Sequence, residues 1–342
     1  MLIRPLDASD PAAMAAWHAT YHAAHVFGQQ HPSPWMLEEM RAEFLGERAG
    51  ERVEPFGGYV DGACVATGTL ELPQMDNLHI GHVDVAVHPD QRRRGHGSAM
   101  LAHLTDRAVG QGRNTLNADA LWDHDAPADG AGTPNAGFLT AHGFVFSLGD
   151  VKRALDLPVD PGLLDRLAAE AAPRHEGYVL RDFVGPVPED IVDPFGDLVG
   201  SLISEAPMGE LDFEPEVFDA TRIRADEKVF EASGRTKYTT VAVAPDGALV
   251  AYSELVVPAH DLGRVYQWGT LVRPAHRGHR LGLATKVHNL RRLQEHEPGR
   301  SVVYTYNAEV NDHMIAVNEQ LGFRPVARLG EFQKKLGQRA RR

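Results

Sequence analysis

The chain has 342 residues, 43% apolar and 24% charged, enough to bury two hydrophobic cores and against disorder over most of its length. A net charge of −13 disfavours nucleic acid as a partner, and no run of 18 apolar residues offers a membrane span. The single Cys64 excludes an internal disulfide and a thiolate metal cluster. Residues 1–20 lack the basic start and apolar stretch of a secretory leader, so a cytoplasmic protein is expected.

In chain order, Leu2 to Pro5 reads as a strand and Met14 to His25 as a helix. Tyr59-Val60 and Cys64 to Leu72 form a hairpin around the two-residue turn Asp61-Gly62. A Val-rich strand, His79 to Val87, stops at Pro89, and a Gly-containing loop then feeds a helix with Met100, Leu101, Leu104 and Ala108 at helical spacing. A strand near Thr115 to Leu121, a short helix ending at Gly143 and strands around Phe144 to Leu157 complete the first half. The Pro-bearing stretch 159–176 is the expected linker. The order then repeats: a strand near Tyr178 to Phe183, a longer helical region 189–230, a hairpin across Tyr238 to Val257, and a strand from Val265 to Val272. A helix follows with Leu283, Val287, Leu290 and Leu293 on one face, then a strand from Val302 and a helix to Leu321.

The repeat has a fixed register. Pro89 matches Pro274, Gly97 matches Gly282 and Asp61-Gly62 matches Asp246-Gly247, all at an offset of 185, while Gly143-Phe144 matches Gly322-Phe323 at 179. Two copies at so long a period mean duplicated domains, expected at 1–158 and 177–342, each an α/β unit with a twisted mixed sheet. The polar loop 123–134 accounts for the change of offset.

The loop after the fourth strand of each copy carries the chemistry. In the first copy Arg92-Arg93-Arg94-Gly95-His96-Gly97-Ser98 opens a helix, and in the second Arg277-Gly278-His279-Arg280-Leu281-Gly282 does so. Unpaired N–H groups at a helix start, glycines that let the backbone approach and arginines that add charge-assisted bonds make a phosphate pocket. No Gly-Lys-Ser/Thr follows, so this is not a P-loop, and the Gly-x-Gly-x-x-Gly of dinucleotide folds is absent.

These loops, with the Gly-Phe pairs that follow, resemble the GNAT acetyltransferase superfamily in its tandem, mycothiol-synthase-like type. Arg92, Gly95 and Gly97 match its Gln/Arg-x-x-Gly-x-Gly/Ala motif; Arg277 and Gly282 match it, with Arg280 at the middle glycine position. The resemblance implies acetyl-CoA as cofactor, lying where the fourth and fifth strands part, with its pantetheine arm along Val85, Ala86 and Val87 in the first copy and Thr270, Leu271 and Val272 in the second. It also implies a tyrosine acid four residues before the glycine of the Gly-Phe pair; Leu139 and Asn318 stand there.

The second copy is richer in polar groups around the expected cleft: Glu254 where the first has Thr69, then Asn307, Asn311 and Asn318. The expected reaction is direct acetyl transfer, in a ternary complex, to a primary amine of a small molecule, with Glu254 accepting a proton through water and Asn318 bonding near the thioester. Asn307 and Asn311 would line the cofactor, although Asn311 also reads as a helix cap. The first copy offers Asp84 and Glu71. A CoA-binding sensor without catalysis and a protein N-acetyltransferase are the alternatives. His18, His22 and His25 share a helix face that is expected to meet solvent or substrate, and no metal is expected. The tail bearing Lys334, Lys335, Arg339, Arg341 and Arg342 reads as solvated, and Trp122-Asp123-His124-Asp125 reads as a surface loop.

Overall fold

The structure, a computed structural model, describes residues 1–205 and 209–337. The first half of the chain runs β1 (Leu2–Pro5), α1 (Pro11–Val26), α2 (Leu37–Leu45), β2 (Glu51–Val60), β3 (Ala63–Pro73), β4 (Ile80–Val87), α3 (His96–Gly110), β5 (Thr115–Asp123), α4 (Pro134–Ala141) and β6 (Val145–Asp156). After α5 (Pro161–Ala171) come β7 (Val179–Val184), α6 (Val192–Gly200), α7 (Leu202–Glu205), α8 (Ala220–Ala232), β8 (Arg235–Val243), β9 (Leu249–Pro258) and β10 (Arg264–Val272). The chain continues through α9 (Leu281–His296), β11 (Val302–Ala308), α10 (Asp312–Leu321) and β12 (Arg324–Lys335). Local chemistry sets many of the bounds. Asp10 accepts the N–H groups of Ala12 and Ala13 to start α1. Asp61 and Gly62 both take positive φ, as a two-residue hairpin turn requires.

The chain forms two compact units. Unit 1 holds Met1–Gly149, Gly209–Glu214 and the chain from Ala327; unit 2 holds the other described residues. The sheet of unit 1 is ordered β1-β2-β3-β4-β5-β12 and that of unit 2 β6-β11-β10-β9-β8-β7. Where the sequence places boundaries at 158 and 177, the final strand of each half is exchanged: β12 pairs with β5, Ala327 opposite Asp123, and β6 pairs with β11, Asp156 opposite Val302. Both are antiparallel additions of an alternating strand to a free edge, so local pattern does not distinguish the two partners.

In unit 1, α3 packs Met100, Leu101 and Leu104 onto Leu70, Val83, Leu116 and Phe332, while α1 and α2 gather Met14, Trp17, Tyr21 and Met40 in a second cluster. In unit 2, α5, α9 and α10 bring Leu164, Val287, Leu290 and Leu321 against Leu255, Val265 and Val303. A further cluster joins Phe195 and Ile223 to Val241, Tyr252 and Leu271.

Two sequence expectations change. Trp122 is part of the unit 1 core at 3% exposure, its indole N–H donating to Pro127 O, because β5 runs on to Asp123. Lys334 and Lys335 lie on β12, where Lys335 pairs with Asp212, and are not a free tail; Arg339, Arg341 and Arg342 lie outside the described residues.

Candidate functional site

Each unit contains a pair of parallel strands that part. β4 and β5 pair only at Ile80–Thr115, Gly81–Leu116 and His82–Asn117, and β10 and β11 only at Arg264–Val302, Val265–Val303 and Tyr266–Tyr304. Beyond those points Val85, Ala86 and Val87 stay paired with β3, and Thr270, Leu271 and Val272 with β9, so one backbone edge of each is left without a strand partner. The family resemblance implies that these residues hold a cofactor arm. Val85 and Val87 pack toward α3, and Leu271 belongs to the core on the α6 side.

The loops that follow share a build. Arg92 Nε donates to Val87 O at 3.2 Å and Arg277 Nε to Val272 O at 3.4 Å, so both arginines tie the loop to the strand end. Gly95 (φ 81°) caps α3 in the left-handed region, and Arg280 (φ 54°) does the same for α9. A Cβ built on Gly95 or Gly278 would meet nothing within 4 Å, so each loop faces open space at these glycines, beside a helix start whose N–H groups suit an anion. Gly97 lies against Phe138 and Gly282 against Val272. His96 begins α3, and Ser98 Oγ bonds His142 Nε2 at 2.9 Å. The electrostatics differ. In unit 1, Arg93 takes a positive φ and Arg94 bonds only the neutral Gln91 among the pairs seen. In unit 2, Arg277 pairs with Glu205 at 2.9 Å, Arg280 with Glu170 at 3.2 Å, and His279 Nδ1 bonds Arg174 O. Leu281 is 1% exposed, so only its backbone can serve a ligand.

Unit 2 has a second feature at the point of parting. Gln267 faces Leu255 and Thr270 faces Ser253, so Trp268 and Gly269 together oppose the single residue Glu254. This is a β-bulge, which takes backbone groups out of the ladder and re-aims them. The β4 register is unbroken at the matching place. Glu254 is 6% exposed and pairs with Lys237 Nζ at 3.2 Å. The Lys237 ammonium lies over the rings of Phe230 (4.6 Å) and Trp268 (5.7 Å). Thr239, directly across from Glu254, has a buried hydroxyl with no partner among the described residues.

Asn318, at the expected tyrosine position, is fully buried. Its Oδ1 accepts from Lys286 Nζ at 2.9 Å and its Nδ2 donates to Asn307 Oδ1 at 3.1 Å; Asn307, 7% exposed on β11, donates to Ala308 O. Burial holds the Lys286 pKa down to about 7. Asn311 caps α10 by accepting Met314 N–H. Glu254, Asn307 and Asn318 thus all lie on strands or helices flanking the β10–β11 opening, Asn318 behind Asn307.

Unit 1 presents a different face. The register places Thr69, Glu71, His82, Asp84 and Asn117 on one side of its sheet. Burial, followed by the charges of Glu51, Asp84, Asp119 and Glu43, lifts the Glu71 pKa to about 8, and burial lowers that of His82 to about 4. Burial presses His25 toward neutrality, but Asp84 3.8 Å away outweighs it and raises its pKa. The segment 209–214 lies here: Phe213 stacks on His82 at 5.9 Å, and Asn77 both donates to Glu214 O (3.2 Å) and accepts from Glu214 N (2.7 Å).

Residues 16–128 match the acetyltransferase (GNAT) family. A mycothiol acetyltransferase of Stackebrandtia nassauensis is 30% identical over 163 residues, 41% of this chain and 49% of the relative, so the match spans about half the relative's length. A tandem GNAT protein from the clavulanic acid biosynthesis pathway has 27% identity over 98% of both chains, with a TM-score of 0.80. Residues 16–128 thus carry an acetyltransferase (GNAT) domain, and the chain as a whole is similar to a tandem GNAT protein. A GCN5-related N-acetyltransferase from Sphaerobacter thermophilus, at 16% identity and a TM-score of 0.65 over 98% of this chain and 95% of its own, has the same fold.

Within this tandem GNAT frame, sequence reasoning missed Lys286, Lys237 and the segment around Phe213. Lys286 had a signal: it falls three residues after Leu283 on the apolar stripe of α9, where a charge is costly unless it has a partner. Lys152 is also fully buried, its Nζ 4.4 Å from the Tyr304 ring, with its pKa drawn to about 7 by burial and Arg264. His18, His22 and His25 do lie on α1, where His18 bonds Trp35 O and His25 bonds Tyr21 O. No helix among the described residues is long and apolar enough to cross a membrane.

Proposed function

We propose that the protein is an acetyl-CoA-dependent N-acetyltransferase that acts on a primary amine of a small molecule by direct transfer in a ternary complex, with the chemistry in unit 2. The observation that carries this reading is the bulge at Trp268-Gly269 opposite Glu254, at the mouth of the β10–β11 opening. Acetyl-CoA, when bound, supplies an activated acetyl thioester. The N–H groups at the start of α9 would hold its diphosphate, and the free edge at Thr270, Leu271 and Val272 its pantetheine arm. N–H groups released by the bulge would donate to the carbonyl oxygen as it gains charge. Glu254 would take one proton from the incoming ammonium through water, leaving a neutral amine to form the new C–N bond at the acetyl carbonyl; as the C–S bond breaks, the second nitrogen proton would leave with the departing thiolate, giving the amide and free CoA thiol. No side chain needs to carry the acetyl group, so an acyl-enzyme is not invoked.

A thiol-release assay with acetyl-CoA and a panel of small amines tests the proposal. Release that is lost in Glu254→Gln, with acetyl-CoA binding retained, supports it. A CoA-binding sensor is the second reading, favoured by Leu139 and Asn318 in place of a tyrosine and by the pairing of Arg277 and Arg280 with carboxylates. Binding without release from any small amine would support that reading, and release only with peptide amines would indicate a protein N-acetyltransferase.

A further inference from the structure

The chain Lys286–Asn318–Asn307 poses a problem of physical chemistry. An ammonium at 1% exposure on the apolar stripe of α9 is costly, and the bond it makes is to one neutral amide. A methionine or leucine there would fill the same space against Leu283, Val287 and Phe323 more cheaply. What lysine adds is direction. Its Nζ carries hydrogens to donate, so the Asn318 amide must present Oδ1 to it. That turns Nδ2 of Asn318 toward β11, where it needs an acceptor, and so fixes Oδ1 of Asn307 as that acceptor. The Nδ2 of Asn307 is then directed away, with one N–H on Ala308 O and the other taking no partner among the described residues. Asn307 lies three residues past Tyr304, the last β11 residue to pair with β10, on the wall of the opening.

We propose that Lys286 is a positioning residue: it sets the polarity of two successive amides so that Asn307 meets the pantetheine arm of acetyl-CoA as a hydrogen-bond donor. This rests on the reading that the unit 2 opening is the acetyl-CoA cleft. An amide free to flip would spend part of its time presenting oxygen to the carbonyls of the arm. Removing a donor from one such contact and placing an acceptor there costs about tenfold in affinity.

Three variants separate direction from packing. Lys286→Met and Lys286→Gln both remove the charge and match each other in length, one atom shorter than lysine, but only glutamine keeps an N–H to donate toward Asn318. Asn318→Asp keeps a partner for Lys286 but has no N–H for Asn307, so it inverts that amide without emptying the core. Steady-state kinetics below neutral pH with a turned-over amine should show KM for acetyl-CoA raised about tenfold in Lys286→Met and Asn318→Asp, with kcat within about threefold. Lys286→Gln should stay within about threefold of the parent in both constants. Equal KM values for the Met and Gln variants, or a parental KM in a folded Asn318→Asp protein, would overturn the proposal. Gly282→Glu, which blocks the unit 2 loop, serves as the control. If turnover and acetyl-CoA KM survive it, the cleft assignment fails and the inference falls with it. If it abolishes turnover while the other variants behave like the parent, the inference alone fails.

Discussion

Glu71 offers a test of the electrostatics of unit 1 that needs no substrate. It lies on β3 across from His82, which burial keeps neutral, and it shares its surroundings with Glu51, Asp84, Asp119 and Glu43. A carboxyl carried from 4.5 to about 8 holds its proton in the folded chain where the unfolded chain has already released it. The folded state binds more protons between those two values, so stability falls as pH rises through the window, and the full cost is reached above about pH 8. A displacement of that size corresponds to at most about 5 kcal/mol. Glu71 is partly exposed, and solvent with local relaxation reduces this to about 2 kcal/mol. Glu71→Gln keeps the shape and removes the ionisation. Its melting temperature should match the parent within about 2 °C at pH 5 and exceed it by roughly 4–8 °C at pH 9. A difference that is the same at both pH values, or that reverses sign, would refute the claim that an unneutralised carboxylate is confined there.

Four further outcomes follow from other residues. Gly269→Ala should lower kcat by about tenfold or more and cost about 1–3 kcal/mol, because its Cβ would collide with the ring of Tyr252, itself 1% exposed; thermal unfolding and thiol release measure the two effects. Gly95→Ala should cost only about 1 kcal/mol, from its left-handed φ, since nothing lies within 4 Å of the new methyl, whereas Gly95→Glu should abolish calorimetric binding of CoA by unit 1 while leaving any unit 2 binding intact. Asn77→Ala removes both bonds to Glu214 and should speed amide exchange across residues 209–214, with about 1–3 kcal/mol of local stability lost. Arg280→Gly should be neutral or stabilising by up to about 1 kcal/mol in chemical denaturation, as relief of a left-handed Arg (φ 54°) outweighs an exposed pair with Glu170.

Much of the fold was legible because duplication writes the same signals twice. Pro89 and Pro274, and the two Asp-Gly turns, fix a common register that no single copy would establish. The exchange of β6 and β12 was not legible, since an edge strand is specified by alternation alone and either free edge satisfies it. Trp122 was misread for a related reason: Asp123, His124 and Asp125 look like a loop, yet pairing with β12 carries β5 as far as Asp123 and buries the indole.

The site divides along the same line. The loops were readable as strand-to-helix turns because a left-handed cap and a tie back to the strand end draw on glycine and arginine at fixed spacing, a demand met by residue type. The bulge was not, because it is a count of two residues against one across strands, and only the pairing of Leu255 and Ser253 with Gln267 and Thr270 reveals it. On the proposed reading, loop completeness does not mark the unit that reacts. Unit 1 has the fuller glycine motif and loop arginines with no carboxylate partner among the described residues, which favour holding a diphosphate; unit 2 has Glu254 opposite freed backbone groups, which favour transfer. Affinity and chemistry draw on different atoms, so duplicated domains can lose one while keeping the other. The Glu254→Gln and Gly95→Glu variants measured side by side distinguish the two: turnover should follow the first and unit 1 binding the second, and turnover that followed Gly95 instead would place the reaction in unit 1.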